Sequence, residues 1–560
     1  MDYFLSDTFR DRAEALIAKY RVPGLAVAIT HQGRVEARAF GLAQLDPPVP
    51  CTPDTLFDIA SASKSMTAAS VALLVEDDER YPAVRYDAVV SELLPGDFVM
   101  PTEALTKEVT VDDILSHRTG MPTHDWSYLG TVSKTPDTHR SVTRNLRNLP
   151  VCAPLRTRYM YNNMMYTVAA HLVEQTSGLS FSDFLETHFF APLGMTSSSL
   201  QPSRARAKGL EARLATGYTW VRGAGTGEDG RGRQAPVPMV ECPEADGAGS
   251  IITSVRDYIL WVRALLLRRD GAPPVITDAV RDGLLRPRAI VDLDGRDLSP
   301  HSSPRLYCAG LESDYYRGHQ RVQHGGGVTG FGTKQLFLPA HDFGCVIATN
   351  SGEGGHAAGA VLARELVDEV LGVSAAAAAA GEARTDWEAV VDKSEAEAEE
   401  EDDPDKCEAA LAAAILASLG EGDKEEEQEE GQGAKVGEDE LKKTPPQRQP
   451  LTTPLETYAG TYEHPGYHQL LLESKDGQLF VDASERSFGF TGVFHHVADQ
   501  RLFTLRIAES EAWGGQDLTA VKAEFTLDDN KSGGRVTRLG IAMEPDMEDT
   551  NEEMIWFTRK

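Results

Sequence analysis

Ser61 and Lys64 stand three positions apart in Phe57-Asp58-Ile59-Ala60-Ser61-Ala62-Ser63-Lys64-Ser65-Met66-Thr67. On a helix that spacing puts both side chains on one face, about 5–6 Å apart at Cβ. An uncharged amine there can take the hydroxyl proton and make Ser61 a nucleophile. The same pair also fits an ordinary helix start, with a serine cap and a solvated lysine. The residues that follow, Ala68, Ala69, Val71, Ala72, Leu73 and Leu74, argue for a buried helix. Burial disfavours the charged amine and lowers its pKa.

Two further segments carry chemistry. Tyr161 and Asn163 lie in Tyr159-Met160-Tyr161-Asn162-Asn163-Met164-Met165-Tyr166, ahead of an apolar helix from Val168 to Val173. A phenol beside an ammonium can be drawn toward phenolate and act as a base. An amide can orient a substrate or the lysine. The third segment is Val322-Gln323-His324-Gly325-Gly326-Gly327-Val328-Thr329-Gly330-Phe331, running into a strand at Lys334. Glycines let a ligand approach the backbone, and N–H groups on a strand edge can hold an oxyanion. His324 can carry positive charge or donate to a substrate carboxylate or carbonyl. No G-K-[ST] follows, so this is not a phosphate loop. Taken singly, loop packing and a Gly-rich turn account for these two segments equally well.

The flanking patterns indicate what holds these residues in place. Thr8 to Tyr20 reads as an amphipathic helix ended by Pro23-Gly24. Leu25, Val27 and Ile29 alternate, His31-Gln32-Gly33 turns, and Val35, Ala37 and Ala39 alternate again, which is a β-hairpin. After a helix-rich stretch from about Asp54 to Leu267, strands are expected at Lys334 to Leu338 and Cys345 to Thr349, with a helix from His356 to Leu371. One α/β domain follows, its sheet closed by both ends of the segment and a helical region inserted between them.

The chain has 560 residues, and roughly 100–200 residues per domain gives two to four domains. Its formal net charge of −31 argues against nucleic acid or an anionic membrane as the main partner. From Gly381 to Pro450 there are 23 Asp/Glu against 8 Lys/Arg, a net of −15, so about half of the excess sits in one stretch. Residues 374–452 are therefore read as a disordered acidic linker, with a transient helix near Glu408 to Ser418. Residues 453–560 alternate in short strands, among them Leu470 to Leu472, Leu479 to Val481, Phe488 to Val493, Leu502 to Ile507, Val521 to Leu527 and Val536 to Ile541. Six to eight such strands suggest a small antiparallel barrel or sandwich. The six cysteines are isolated, without CxxC spacing, and read as reduced, mostly buried thiols. His495-His496 reads as strand surface, and no metal or other cofactor is expected. No signal peptide and no apolar run long enough to span a membrane is visible, so the chain is read as cytosolic.

The order S-x-x-K, Y-x-N, H-G-G resembles the serine β-lactamase and penicillin-binding-protein superfamily, in its class C-like branch of D-aminopeptidases, esterases and acyltransferases. Leu115-Ser116-His117-Arg118-Thr119-Gly120-Met121, Ala191-Pro192-Leu193-Gly194-Met195 and Gly247-Ala248-Gly249-Ser250-Ile251 resemble further landmarks of that family. The resemblance covers residues 1–373. It implies an antiparallel sheet flanked by helices, plus an all-helical subdomain, in an α/β (α+β) fold. It also implies an acyl-enzyme formed on Ser61, with Lys64 and Tyr161 sharing base and acid duties and Asn163 positioning substrate. The N–H groups of Ser61 and Gly327 would form the oxyanion hole, beside His324, Gly325 and Gly326. Where relatives carry K-T-G, this chain has His324-Gly325-Gly326, which favours peptidase, esterase or acyl-transfer work over β-lactam hydrolysis. Tyr458-Ala459-Gly460-Thr461-Tyr462 resembles the lipocalin-like barrel that follows several peptidase relatives. The expected substrate is a small molecule or short peptide; an acyltransferase or cyclase using the same acyl-enzyme, or a silent scaffold, are the alternatives.

Overall fold

The alternation at Leu25, Val27 and Ile29 is one of large against small side chains: these three face one side of the strand and Ala26, Ala28 and Thr30 the other, and both sides are buried. The structure, a computed structural model, describes residues 1–221, 232–266, 275–293, 295, 298–373, 385–401, 403–422, 448–510, 515, 517–528, 535–547 and 553–560. They divide into two units, Met1–Glu395 and Ala396–Lys560.

Among the described residues of the first unit, nine strands form the main sheet: β1 (Gly24–His31), β2 (Arg34–Gln44), β3 (Val49–Pro50), β4 (Ala289–Ile290), β5 (Leu306–Tyr307), β6 (Glu312–Tyr316), β7 (His319–Val328), β8 (Phe331–Leu338) and β9 (Phe343–Thr349). The spatial order is β3-β2-β1-β9-β8-β7-β6-β5-β4. β1 pairs antiparallel with β9, Leu25 opposite Thr349, so the start of the chain is joined to a strand some 300 residues later. The expected closure of one sheet by both ends of the segment is thus observed. Helices α1 (Asp7–Lys19) and α5 (Glu353–Val370) cover one face through Leu16, Val361, Leu362 and Leu366, packed on Val27, Ile29, Leu336 and Ile347. Helix α4 (Val255–Leu266) packs against β1 and β9.

Between β3 and β4 lie helices α2 (Lys64–Glu76) and α3 (Asn163–Ser177), packed on one another. Residues Lys64 to Ala72 of α2 are all buried, so this helix has no wet face. Its small side chains make that possible.

The second unit holds a closed barrel of eight described antiparallel strands, from Gly460–His464 to Ile555–Arg559, each paired with the next and the last with the first. Closure leaves no free sheet edge.

The acidic stretch differs from the expected linker. Residues 374–384, 402 and 423–447 of it lie outside the described residues. The rest includes two helices, α6 (Trp387–Glu401) and α7 (Pro404–Gly422). Trp387 and Val391 of α6 are buried in the same core as α1 and α5. The acids of α6 meet bases of α1: Glu388 pairs with Arg12 at 2.6 Å and Lys19 at 2.5 Å, and Asp392 with Lys19 at 2.6 Å. Helix α7, which contains the expected transient segment, buries Ala412 and Ile415 against Val497, Ala498 and Leu502 of the barrel. Glu408 accepts from Arg448, His495 and Thr504. Net charge misled because it counts acids without their distant partners.

Trp387 is 2% exposed and donates its indole N–H to Asp368 at 2.7 Å. Trp387→Ala is expected to destabilise the first unit by about 3–5 kcal/mol, from the lost apolar volume and a carboxylate short of a donor. Urea unfolding followed by circular dichroism checks this; a loss below about 1 kcal/mol would show that α6 is a superficial attachment.

Candidate active site

The start of α2 is shaped by its approach. Phe57-Asp58 pairs with Ile252-Thr253, and a single 3-10 turn, Ala60–Ser63, then leads into the helix. Ala60 has φ +44°, a costly backbone for alanine. Buried Asp58 holds it, accepting from the Ala60 N–H at 2.7 Å. The bend places Ser61 at the mouth of the turn and Lys64 one turn behind it.

Lys64 is fully buried. Its Nζ lies 2.9 Å from Ser61 Oγ, 2.7 Å from Asn163 Oδ1 and 2.8 Å from the Ala248 carbonyl. Burial pulls its pKa down to about 7, against a smaller opposing pull from Asp125. The three contacts fit a neutral amine. Two of them, the amide oxygen and the backbone carbonyl, can only accept. In the neutral amine they take both N–H groups and leave the lone pair facing the Ser61 hydroxyl, whereas in the ammonium the third N–H donates to Ser61 Oγ.

Each acceptor is anchored in turn. Asn163 opens α3 and donates Nδ2–H to Asp125 at 2.9 Å. The Gly247-Ala248 segment is tied to α2 by Thr67, whose hydroxyl donates to Gly247 O at 2.6 Å. A Cβ at Gly247 would fall 2.3 Å from Tyr166 O, so only glycine allows that approach. Just before it, Asp246 accepts from His139 at 2.6 Å, and Glu174 lies 3.0 Å from the other ring nitrogen.

Tyr161 lies close to Ser61. Its ring centroid is 4.8 Å from Lys64 Nζ. Burial raises the phenol well above its ordinary value, while the nearby Ser61 hydroxyl opposes this. Tyr161 therefore keeps its proton, and the phenolate reading loses ground to the neutral lysine.

His324, Gly326 and Gly327 lie on β7, which passes directly over the turn. A Cβ at Gly326 would sit 2.0 Å from Ile59 O and 3.0 Å from Ala62 N. The second glycine is thus required by contact with the nucleophile's own turn. Gly327 is exposed and pairs with Gly332 of β8, and Gly325 pairs with Lys334. His324 is not a cation here: burial brings its imidazole down to about 4. Its Nδ1 lies 2.6 Å from Gly325 O and its Nε2 3.2 Å from Tyr307 Oη. The lysine charge of K-T-G relatives has no replacement at this position.

His117 and Tyr307 adjoin the candidate site and carry no signal of this in the sequence beyond the resemblance of the Leu115 to Met121 segment to a family landmark. Met160 N donates to His117 O at 2.8 Å, and Asn162 N donates to His117 Nδ1 at 3.0 Å, which clamps the backbone on both sides of Tyr161. The rings of His117 and Tyr161 lie tilted at 35° to one another with centroids 4.4 Å apart. Because Nδ1 accepts, the proton sits on Nε2, which donates to Tyr307 Oη at 3.1 Å. The chain then runs one way: His117 Nε2–H to Tyr307, Tyr307 O–H to His324 Nε2, His324 Nδ1–H to Gly325 O. It requires both imidazoles neutral. Burial supplies that, holding His117 well below its ordinary value too. No spacing rule links positions 117, 307 and 324.

A buried lysine hydrogen-bonded to a serine on a helix start, beside a tyrosine and a glycine strand, defines a serine-reactive hydrolase. The Beta-lactamase family matches residues 9–369, and the chain belongs to it. A domain of unknown function (DUF3471) matches residues 444–559, the barrel region. In particular, the chain is 31% identical over 560 residues to the unguisins hydrolase ungD' of Aspergillus campestris, across 99% of this chain and 92% of that protein. It is 27% identical over 319 residues to a D-aminopeptidase of Brucella anthropi, across 56% of this chain and 53% of that one. Among solved structures, the octameric penicillin-binding protein homologue from Pyrococcus abyssi shares the fold with a TM-score of 0.54 at 17% identity, all of both chains being covered. No described helix is long and apolar enough to cross a membrane.

Lys64 titrates near 10.5 when exposed and near 7 in the fold. Between those pH values the unfolded chain binds one more proton, so stability rises with pH. Relative to Lys64→Met, the protein is expected to gain on the order of a few kcal/mol from pH 7 to pH 10. Urea unfolding of both proteins at three pH values checks it. The variant's lost hydrogen bonds are independent of pH and drop out of the slope; parallel curves would show that Lys64 has an ordinary pKa.

Proposed function

We propose that the protein cleaves small amides or esters through an acyl-enzyme on Ser61, acting in the cytosol on short peptides. One observation carries the reading: a buried amine brought to about 7, 2.9 Å from a serine hydroxyl, with its own N–H groups already committed. At neutral pH a large fraction of such an amine is unprotonated and can act as a general base.

In the first half-reaction Lys64 takes the Ser61 proton as Oγ attacks the substrate carbonyl carbon. The Ser61 and Gly327 N–H groups receive the developing oxyanion. The proton passes through Lys64 and Tyr161 to the leaving nitrogen or oxygen, and the acyl group stays on Ser61 as an ester. Water then attacks that ester, its proton passes to Lys64 with Tyr161 as a relay, and that proton is returned to Ser61 as it leaves. Asn163 holds the lysine lone pair on line and contacts the substrate. Neutral His324 offers no charge to a β-lactam carboxylate, so β-lactam turnover is expected to be weak. The full-length similarity to an unguisins hydrolase and the partial one to a D-aminopeptidase support amide bonds of peptides, and unguisins are the first substrates to test.

Incubated with an activated ester or a fluorescent penicillin, the protein is expected to gain the acyl mass, and Ser61→Ala none. Ser61→Ala is expected to lower unguisin hydrolysis by ~10³-fold or more. An adduct of equal mass on Ser61→Ala would move the nucleophile elsewhere. The acylation rate is expected to rise with pH through an inflection near 7, set by Lys64. Stopped-flow acylation between pH 5.5 and 9 reads this directly; a flat profile would remove Lys64 as the base.

A further inference from the structure

Strand alternation places a second group of polar side chains on the opposite face of the sheet from Ser61. His324 and Gly326 point to the nucleophile's turn, so Gln323 and Gly325 point away, as do their partners Leu336 and Lys334 on β8. On this side β7, β8, α5 and α6 border a cavity of about 290 Å³. Four cations line it: Arg305, Arg321, Lys334 and Arg364.

Two of the four are matched. Arg305 holds Asp292 with two hydrogen bonds of 2.9 Å, and Arg321 grips Asp314 in the same forked way. The other two are not. Among the described residues, neither Lys334 nor Arg364 has a carboxylate in ion-pair reach. Arg364 Nε is buried with no hydrogen-bond partner, and Ser299 Oγ, also on the cavity wall, is buried without one. The Arg364 guanidinium does lie 5.3 Å from the Trp387 ring centroid, which fixes its plane but gives it no acceptor. Burial and the neighbouring cations, against opposing pulls from Glu312 on Lys334 and from Asp314 on Arg364, bring Lys334 down to about 8 and Arg364 to about 10, so both remain charged at neutral pH.

Two half-buried cations side by side, neither with a carboxylate in ion-pair reach among the described residues, are costly. The remedy that fits is a counter-charge with several acceptor oxygens. The wall supplies donors to match: an ammonium, a guanidinium edge and the Ser299 hydroxyl, with Ser302 and Gln323 beside them. A guanidinium and an ammonium at one point suit a tetrahedral oxyanion better than chloride, because each oxygen takes a separate donor. The cavity also exceeds what a bare phosphate fills. The floor is roomy because Gly325 faces it without a side chain; a Cβ there would meet only Thr333 O, at 3.7 Å.

We propose that this cavity binds a phosphate group, free or as a small monoester, between Lys334 and Arg364. The site is separate from the Ser61 chemistry and rests on none of it.

The test uses the full-length protein, with inorganic phosphate and glycerol 2-phosphate as probes in chloride-matched buffer. Calorimetric titration is expected to show saturable binding of at least one probe, and thermal unfolding a matching rise in Tm. Arg364→Gln and Lys334→Met are each expected to weaken binding tenfold or more. Lys334→Met is also expected to unfold at a higher temperature than the unmutated protein in chloride alone, because it removes a half-buried charge that has no carboxylate in ion-pair reach among the described residues. Should one variant not fold, the other and Ser299→Ala carry the comparison. Tighter binding of the ester assigns the site to an organic phosphate; equal binding assigns it to the free anion. No saturable binding of either probe, or binding unchanged in the folded variants, overturns the proposal.

Discussion

The removal of one ammonium from water organises the catalytic half of this protein. A lysine in bulk solvent holds its proton at any physiological pH. Lys64 is enclosed by a helix without a wet face, and the cost of a charge there brings its proton affinity to neutrality. The same enclosure fixes what the amine can bond to. Asn163 and the Ala248 carbonyl come from elements far apart in sequence, and each is held by its own partner: Asp125 for one, Thr67 for the other. Moving either acceptor would rotate the lone pair away from Ser61.

A second network, with no formal charge, sets the other wall. His117, Tyr307 and His324 share protons in one direction, and the chain ends on the backbone of the glycine strand. It locates the segment carrying Tyr161 from one side and β7 from the other. The ring at position 324 is buried and neutral. The two networks depend on the same low polarity: the dryness that frees the lysine lone pair also keeps both histidines uncharged.

Much of this was legible in the sequence. Alternation at Leu25, Val27 and Ile29 and the helix ending near Leu371 foretold a sheet closed by remote strands, because large side chains on one buried face and small ones on the other leave a period that can be read locally. Ser61, Lys64, Tyr161, Asn163 and the His324 to Gly327 strand are brought together as their order implied. Other parts were not legible. The hydrogen bonds from His117 to Tyr307 and on to His324 span separations no short motif encodes. Burial, which decides whether His324 is a cation, is a property of the assembled fold. The acidic stretch was misjudged for a related reason: Glu388 and Asp392 look like unpaired repulsion until Arg12 and Lys19 are placed beside them.

The seating of α6 has a bearing on modularity. The Beta-lactamase family match stops at residue 369, which invites the view of a catalytic module that could be cut out there and moved between proteins. Trp387 and Val391 are interior residues of that module, lying beyond its apparent border. An excision at the border would strip apolar cover from Tyr316 and a donor from Asp368. The transferable piece is longer than the recognisable one, and recombination between such proteins would succeed only at joints beyond this helix's buried turns.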